Sequence, residues 1–465
     1  MSLNYVMQDD VTTSYYVIPA GGLGLSGHFQ VRATTAIKDL AGNALTEDFM
    51  TSSGFTTRDI SSWAFVDGDG PEGINRDFNR YAEFVNLTAF NNTLYVSWKE
   101  RLFPAGEYHF RVKVFNGNDS APAWYFVEGG DPMFGINYDA SEDVGYGETF
   151  VFNSKLYAIW SETNVNYQVR VAVYSGNDAS PNWTFVDGNG VYGINKDPTR
   201  GGNYPVLGMA NSKLYAAWYE YNASTVFQIR ISSYGGNDSS PVWTEIDGKV
   251  ADSEGLNYDS ANSAISPQLT GFNDKLYATW LENNSVYQVR VAVYNGNDAS
   301  PSWTFVDGNG TNGLNYNMSD AASDPQLTVF NNKLYATWGE DSRIRVAVYN
   351  GNDSSPSWSF VDSANGLNYD SLATAGFPQL TVLNSKLYAT WQENSQIRMA
   401  VYNGNDSASQ WFFTEKDVID SIGINKDSSK VASYPQIAAF GPRLFAAWRE
   451  KDDSSVEQVR VAVGQ

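Results

Sequence analysis

Lys386-Leu387-Tyr388-Ala389-Thr390-Trp391-Gln392-Glu393 is a short run dense in aromatic side chains, flanked by Asn384-Ser385 on one side and Asn394-Ser395 on the other. Its core, Leu-Tyr-Ala-x-Trp-x-Glu, recurs with small changes seven times, placing Trp at 98, 160, 218, 280, 338, 391 and 448, spaced 53 to 62 residues apart. Self-similarity at such a period marks a repeat architecture. A second series, of the type Trp-Thr-Phe-Val-Asp, begins at Trp63, Trp124, Trp183, Trp243, Trp303, Trp358 and Trp411. The two series together use all 14 tryptophans of the chain.

Around the quoted run, the sixth repeat resolves into four short segments bounded by Gly, Asn, Asp, Ser or Pro: residues 378–383, 386–393, 397–402 and 411–414. Aromatic and β-branched content of this kind predicts strands, and the Asn-Ser pairs stand where two-residue hairpin turns need residues that tolerate positive φ. Seven four-stranded antiparallel units of one kind predict an all-β, seven-bladed β-propeller over residues 60–465, since radial repetition leaves only short sheet edges. The series begins with a fourth strand, residues 62–67, that has no third strand before it. It ends with a third strand, residues 458–463, that has no fourth after it. Pairing these two ends would close the ring.

Composition limits the functions available. The chain has 465 residues, 52 Asp and Glu against 30 Lys and Arg, and a net charge of −22, which repels phosphate backbones and anionic lipid headgroups. Nucleic acid is therefore not an expected partner, and no apolar run of eighteen residues would insert in a membrane. There is no cysteine, which removes disulfides, thiolate metal sites and a cysteine nucleophile together. The start Met1-Ser2-Leu3 is neither basic nor followed by an apolar signal core, and reads as an expression boundary of an exported protein.

Residues 1–59 do not carry the repeat. Gly27-His28-Phe29-Gln30-Val31-Arg32-Ala33, Ile37-Lys38-Asp39-Leu40-Ala41-Gly42-Asn43-Ala44-Leu45 and Gly54-Phe55-Thr56-Thr57 resemble the C-terminal half of the bacterial Ig-like domain of surface-layer and adhesion proteins. That resemblance implies a secreted or cell-surface bacterial protein. Between strands three and four, Asn295-Gly296-Asn297-Asp298-Ala299-Ser300-Pro301-Ser302-Trp303 is similar to the Asp-box hairpin of sialidase-type propellers. Asp298 and Trp303 fall on its Asp and Trp, while Gly296 and Ser300 depart from its Ser and Gly. In that family the hairpin is a folding device, so the likeness implies architecture, with the Asp fixing turn amides and the Trp packing between blades.

Sialidase chemistry needs an arginine cluster, and arginine does recur, at 111, 170, 230, 290, 345, 398 and 460, once per blade on strand three. A two-residue turn at Asn394-Ser395 sets Trp391 opposite Arg398 and makes Glu393 its diagonal neighbour. A Trp391, Arg398, Glu393 cluster repeated in every blade reads as packing and charge satisfaction rather than catalysis, because a catalytic site breaks ring symmetry. No catalytic residue is assigned. His28 and His109 are the only histidines. Calcium is the one metal left open, at Asp67-Gly68-Asp69-Gly70, Asp187-Gly188-Asn189-Gly190 and Asp307-Gly308-Asn309-Gly310, although the fifth position, Pro71, Val191 or Thr311, supplies no carboxylate. No cofactor is otherwise expected.

Candidate ligand contacts lie on the rim formed by the loops from strand four to the next strand one. Each loop reads Gly-[Ile/Leu]-Asn-x-[Asp/Asn], with x being Arg76, Tyr138, Lys196, Tyr258, Tyr316, Tyr369 and Lys426. At the start of strand one stand Asn86, Glu148, Val206, Gln268, Gln326, Gln379 and Gln436, with Glu148 the lone acid. Tyr138 and Tyr204 are expected to wall a site beside Glu148. Amides and tyrosines around a shallow funnel suit sugar hydroxyls or peptide groups. The expected function is non-enzymatic recognition of a glycan or protein partner at this rim. The alternative is a glycosidase or sialidase-like hydrolase using channel-mouth carboxylates.

Overall fold

The computed structural model describes residues 62–465 apart from short loop stretches at 69–71, 102–105, 130–133, 164–165, 189, 249–253, 309, 415–422 and the last residue. Within residues 1–61 it describes six two-residue strands, paired antiparallel as Leu3–Asn4 with Ile18–Pro19, His28–Phe29 with Phe55–Thr56, and Arg32–Ala33 with Phe49–Met50. The remainder of the Ig-like resemblance lies outside the described residues. Met1–Ser61 and Ser62–Gln465 form separate compact units.

The second unit is all-β. Seven four-stranded antiparallel sheets follow one another, each with strands in the order one to four from the inside outwards. The inner strands are Ala82–Phe90, Val144–Phe152, Gly202–Ala210, Ala264–Phe272, Ala322–Phe330, Ala375–Leu383 and Ala432–Phe440, of blades 1 to 7 respectively. Consecutive inner strands touch around the ring, the seventh reaching the first. The seventh sheet takes its fourth strand from the start of the unit. Trp63–Phe65 pairs with Glu457–Gly464 through Ala462↔Phe65, Val463↔Ala64 and Gly464↔Trp63. Asn75, in the loop leaving that strand, accepts from Val459 N at 2.8 Å.

Turn chemistry explains the hairpins. Asn384 and Ser385 have φ of 50° and 58°, and Asn394 and Ser395 of 45° and 68°. Two successive positive-φ residues make the type I′ turn, whose twist matches that of the strands it joins. The strand-two tryptophans at 98, 160, 218, 280, 338, 391 and 448 have no exposed surface and stand among the cores between neighbouring blades. Each removes on the order of 200 Å² from water, worth up to about 5 kcal/mol by area. The strand-four tryptophans tie blades together: Trp303 Nε1 donates to the Ile246 carbonyl of the preceding blade at 2.7 Å.

The repeated polar residues have roles that differ in part from the sequence expectation. Trp391 does face Arg398 across the sheet, and Glu393 faces Gln396. Glu393, however, accepts from Trp391 Nε1 at 2.9 Å and from the loop amides of Tyr369 and Asp370 at 2.9 and 2.8 Å. It caps the loop entering its own blade. The strand-three arginines make their described ion pairs with the acid that ends strand four instead: Arg170 with Asp187, Arg230 with Asp247 and Arg290 with Asp307, each at 3.1 Å, all buried. The first carboxylates of the loops considered for calcium, Asp67, Asp187 and Asp307, are thus turned inward onto Arg460, Arg170 and Arg290.

The Gly-Asn-Asp turns need a second correction. The turn amides are held by asparagine, as when Asn297 Oδ1 accepts from Ala299 N at 3.1 Å. The aspartate reaches instead to tyrosines of two blades: Asp238 accepts from Tyr234 of its own blade at 2.7 Å and from Tyr157 of the preceding one at 3.0 Å.

Candidate functional site

Every inner strand carries a β-bulge at its start. The pairing jumps between Glu83 and Asn86, Val144 and Gly147, Asn203 and Val206, Ile265 and Gln268, Ser323 and Gln326, Gly376 and Gln379, and Ser433 and Gln436. An extra residue re-aims a side chain that an unbroken strand would send elsewhere. In six blades the bulged residue has a positive φ of 47° to 55°: Phe84, Tyr204, Ser266, Asp324, Phe377 and Tyr434. Left-handed backbone at aromatic residues carries a cost of about 1 kcal/mol or more and concentrates at functional sites.

These residues, with Tyr146 of blade 2, form a collar around a narrow cavity of about 90 Å³ at the channel mouth. Its rings are in mutual contact: Phe84 meets Tyr146, Tyr204 and Tyr434 edge-on at 5.5, 5.8 and 6.0 Å, Tyr146 stacks on Tyr204 at 5.1 Å, and Phe377 lies 3.9 Å from Tyr434. Sequence reasoning missed Phe84, Tyr146, Asp324, Phe377 and Tyr434. The signal was there, as the position two residues before Asn86, Glu148, Val206 and the glutamines, which is mostly aromatic.

Gln268, Gln326, Gln379 and Gln436 line the same cavity, as does Val206. All four glutamines are half-buried, and their side-chain amides make no hydrogen bond to any described residue. These amides reach the cavity's solvent, so their donors and acceptors are open to a guest that would replace water. Asn86 is differently employed: its Oδ1 accepts from Thr149 N and Oγ1 at 3.2 and 3.0 Å, which joins blades 1 and 2.

Glu148 sits beside Tyr146, at the edge of the collar. Its Oε1 accepts from Leu207 N at 2.7 Å, and Tyr146 OH donates to Oε2 at 3.4 Å. Burial pushes its carboxyl up to about 7, against partial relief from those two donors. Glu148 itself is not among the residues that line the cavity, contrary to the sequence expectation, because its carboxylate turns to Leu207 of the next blade, whereas Asp324 is a lining carboxylate. Burial raises its pKa too, although Ser323 and the Phe377 amide hydrogen-bond to it. Among the described residues no lysine or arginine lines the cavity; Lys99 and Arg449 flank it, over the rings of Phe84 at 5.4 Å and Tyr434 at 4.3 Å.

Tyr138 belongs elsewhere. Its ring covers the Arg170 guanidinium at 3.9 Å and meets Phe185 edge-on at 5.1 Å. Tyr258, Tyr316 and Tyr369 cover Arg290, Arg345 and Arg398 in the same way. In blade 3 the equivalent Lys196 turns to Glu245 at 3.0 Å, and in blade 7 Lys426 turns to Asp67 at 3.2 Å. The fixed Asn locks each loop, as Asn195 Oδ1 accepts from Val169 N at 2.7 Å. The fixed Gly is required because Gly193 has φ of 58° and a Cβ there would lie 2.3 Å from the Val169 carbonyl oxygen.

No family model matches the chain, and no curated protein matches it in sequence. Among solved structures it is similar to the polysaccharide lyase Uly1, with a TM-score of 0.50 and 9% identity over 81% of this chain and 88% of that one. It is also similar to the α-L-arabinofuranosidase Arb93A from Fusarium graminearum, at 0.43 and 12% over 69% and 92%. A sialidase from Trypanosoma rangeli gives 0.41 and 12% over 69% and 55%. At these identities the likeness is one of fold alone, and the count of seven blades comes from the sheets themselves.

Proposed function

We propose that the propeller is a binding module that takes a glycan at the channel mouth. The observation that carries this reading is the set of four half-buried glutamine amides without hydrogen bonds to described residues, facing a collar of aromatic rings. A sugar presents hydroxyls to such amides and C–H faces to such rings. The cavity of about 90 Å³ favours the end of a sugar chain over a protein surface. The net charge of −22 favours a neutral sugar over an acidic one. The Ig-like resemblance of residues 1–59 supports placing this module on a bacterial cell surface or in a secreted protein.

One observation favours a second reading, a glycoside hydrolase. Glu148, with a pKa pushed up to about 7, keeps a protonated fraction near neutrality, which a general acid needs. A glycan array run beside a panel of chromogenic glycosides separates the two. Retained glycans with no turnover support the module. Turnover that disappears in Glu148→Gln supports the hydrolase, and a protein inert in both assays overturns the assignment of the channel mouth.

A further inference from the structure

Blade 3 differs from the other six on the rim. At the position after the strand-two tryptophan the other blades have Lys99, Ser161, Leu281, Gly339, Gln392 and Arg449, whereas blade 3 has Tyr219. Tyr219 continues the collar outward, stacking on Tyr204 with centroids 5.8 Å apart and planes at 20°. Phe227 meets Tyr219 edge-on at 4.7 Å and stacks on Tyr221 at 3.9 Å. Tyr204 and Tyr221, near the two ends of this run, are each 38% exposed.

The run ends at a cavity. Tyr221, Lys196, Arg200 and Arg230 contribute to a space of about 240 Å³, while the corresponding space beside Tyr258 and Arg290 in blade 4 is about 40 Å³. The difference has a local cause. Tyr258 lies as a lid 4.1 Å over the Arg290 guanidinium, but blade 3 has Lys196 in that place, drawn away to Glu245. The cations here are matched: Lys196 with Glu245, Arg200 with Asp197 at 2.7 Å and Arg230 with Asp247 at 3.1 Å. The cavity is therefore rich in donors and acceptors without offering a net positive charge.

From this we infer that blade 3 carries an extended binding track for a linear neutral glycan, which runs from the channel mouth over Tyr204, Tyr219 and Tyr221 to an outer subsite at Lys196 and Arg200. A continuous run of aromatic rings joins a polar cavity at each end, the channel mouth and the space at Lys196 and Arg200, which suits sugar rings that are apolar on their faces and hydroxylated on their edges. The inference rests on the glycan reading of the channel mouth and adds a direction and a minimum chain length to it.

The test is calorimetric titration of the full chain with cello-, xylo- and arabino-oligosaccharides from monomer to hexamer, and with oligogalacturonates as the acidic series. Affinity in a neutral series should rise by about tenfold or more between the shortest ligand bound and the tetramer, given the added ring contacts. Tyr221→Ala, outside the channel-mouth lining, should remove that gain and leave the short ligand's affinity unchanged. Lys196→Tyr, which restores the lid found in blade 4, should also remove it without lowering the melting temperature, so loss of fold is not confused with loss of the track. If short ligands bind but longer ones gain nothing, or the gain survives both variants, the track is wrong while the channel mouth stands. If the oligogalacturonates show the gain instead, the neutral assignment is wrong. If no oligosaccharide of any series binds, the glycan reading itself fails.

Discussion

The hydroxyl of Tyr277 in blade 4 donates to Oδ1 of Asp353 in blade 5 at 2.8 Å, and Tyr349 of blade 5 donates to the same oxygen at 3.0 Å. Lys275 completes the group on Oδ2. One carboxylate therefore joins two neighbouring blades, and Asp238 and Asp406 repeat the arrangement. In a ring of separate sheets, such a bond restrains sliding at the outer turns, where it holds the polar ends of two tyrosines whose rings belong to the shared apolar core.

Asp353→Ala should therefore destabilise the protein by about 1 to 3 kcal/mol, since it leaves two partly buried hydroxyls and an ammonium without their acceptor. Burial pushes the Asp353 carboxyl up, but hydrogen bonds from Lys275, Tyr277 and Tyr349 outweigh it and hold the pKa below the usual 3.8. A depressed folded-state pKa gives stability that is present above the unfolded value and lost as the pH falls through the folded one. Chemical denaturation of parent and Asp353→Asn from neutrality to about pH 3 should show the gap between them narrowing in acid. A constant gap would mean the carboxylate charge plays no part.

Arg290→Ala should cost more, about 3 to 5 kcal/mol, because it leaves Asp307 as a buried charge without the guanidinium at 3.1 Å. It also removes the surface on which Tyr258 rests. Glycan affinity at the channel mouth should be unchanged, as Arg290 lies outside the lining residues. Thermal melting and calorimetry on one preparation check both halves, and a variant with parental stability but lost binding would reverse the structural role given to the arginines.

Residues fixed in every blade are legible because repetition shows what architecture demands. The two tryptophan series and the Asn-Ser turns lead to the blade and its strand order without further help. What escapes are relationships that spacing cannot carry. Diagonal placement on adjacent strands makes Glu393 the expected partner of Arg398, yet the ion pairs form over the edge of the sheet, as with Arg345 and Asp362 at 3.0 Å, seventeen residues apart. Loop position alone puts Tyr138 at the mouth, but a loop residue can point either way, and a cation behind it decides otherwise. The collar is invisible to period-two alternation, which assumes an unbroken strand, whereas one bulged residue shifts every side chain before it.

Removing residues 62–67 should leave the Glu457–Gly464 strand with an open edge and take Val66 out of the core that it shares with Val459, Val461 and Trp98. The expected result is loss of a single cooperative melt and concentration-dependent association, read by calorimetry and light scattering. A monomer that melts like the parent would show that ring closure does not depend on this pairing.

Glu148→Gln tests both the electrostatics and the function of the channel mouth. The Glu148 carboxyl, raised by burial from 4.5 to about 7, binds its proton more tightly in the folded state than in the unfolded one. Between those two values the folded form holds more protons, so stability falls as the pH rises across that window, and the deficit persists above it. Glu128 and Glu220, also raised to about 7 by burial, add to the same slope. The amide introduced by the substitution cannot ionise, so the variant should be more stable than the parent at about pH 8 and close to it at about pH 5. The same variant keeps an amide oxygen able to accept from Leu207 N, and a binding module should retain its neutral glycan with affinity within about threefold, less than one ordinary hydrogen bond. Equal melting temperatures of parent and variant at both pH values would show that Glu148 is solvated as an ordinary carboxylate, and would remove the observation that favours the hydrolase.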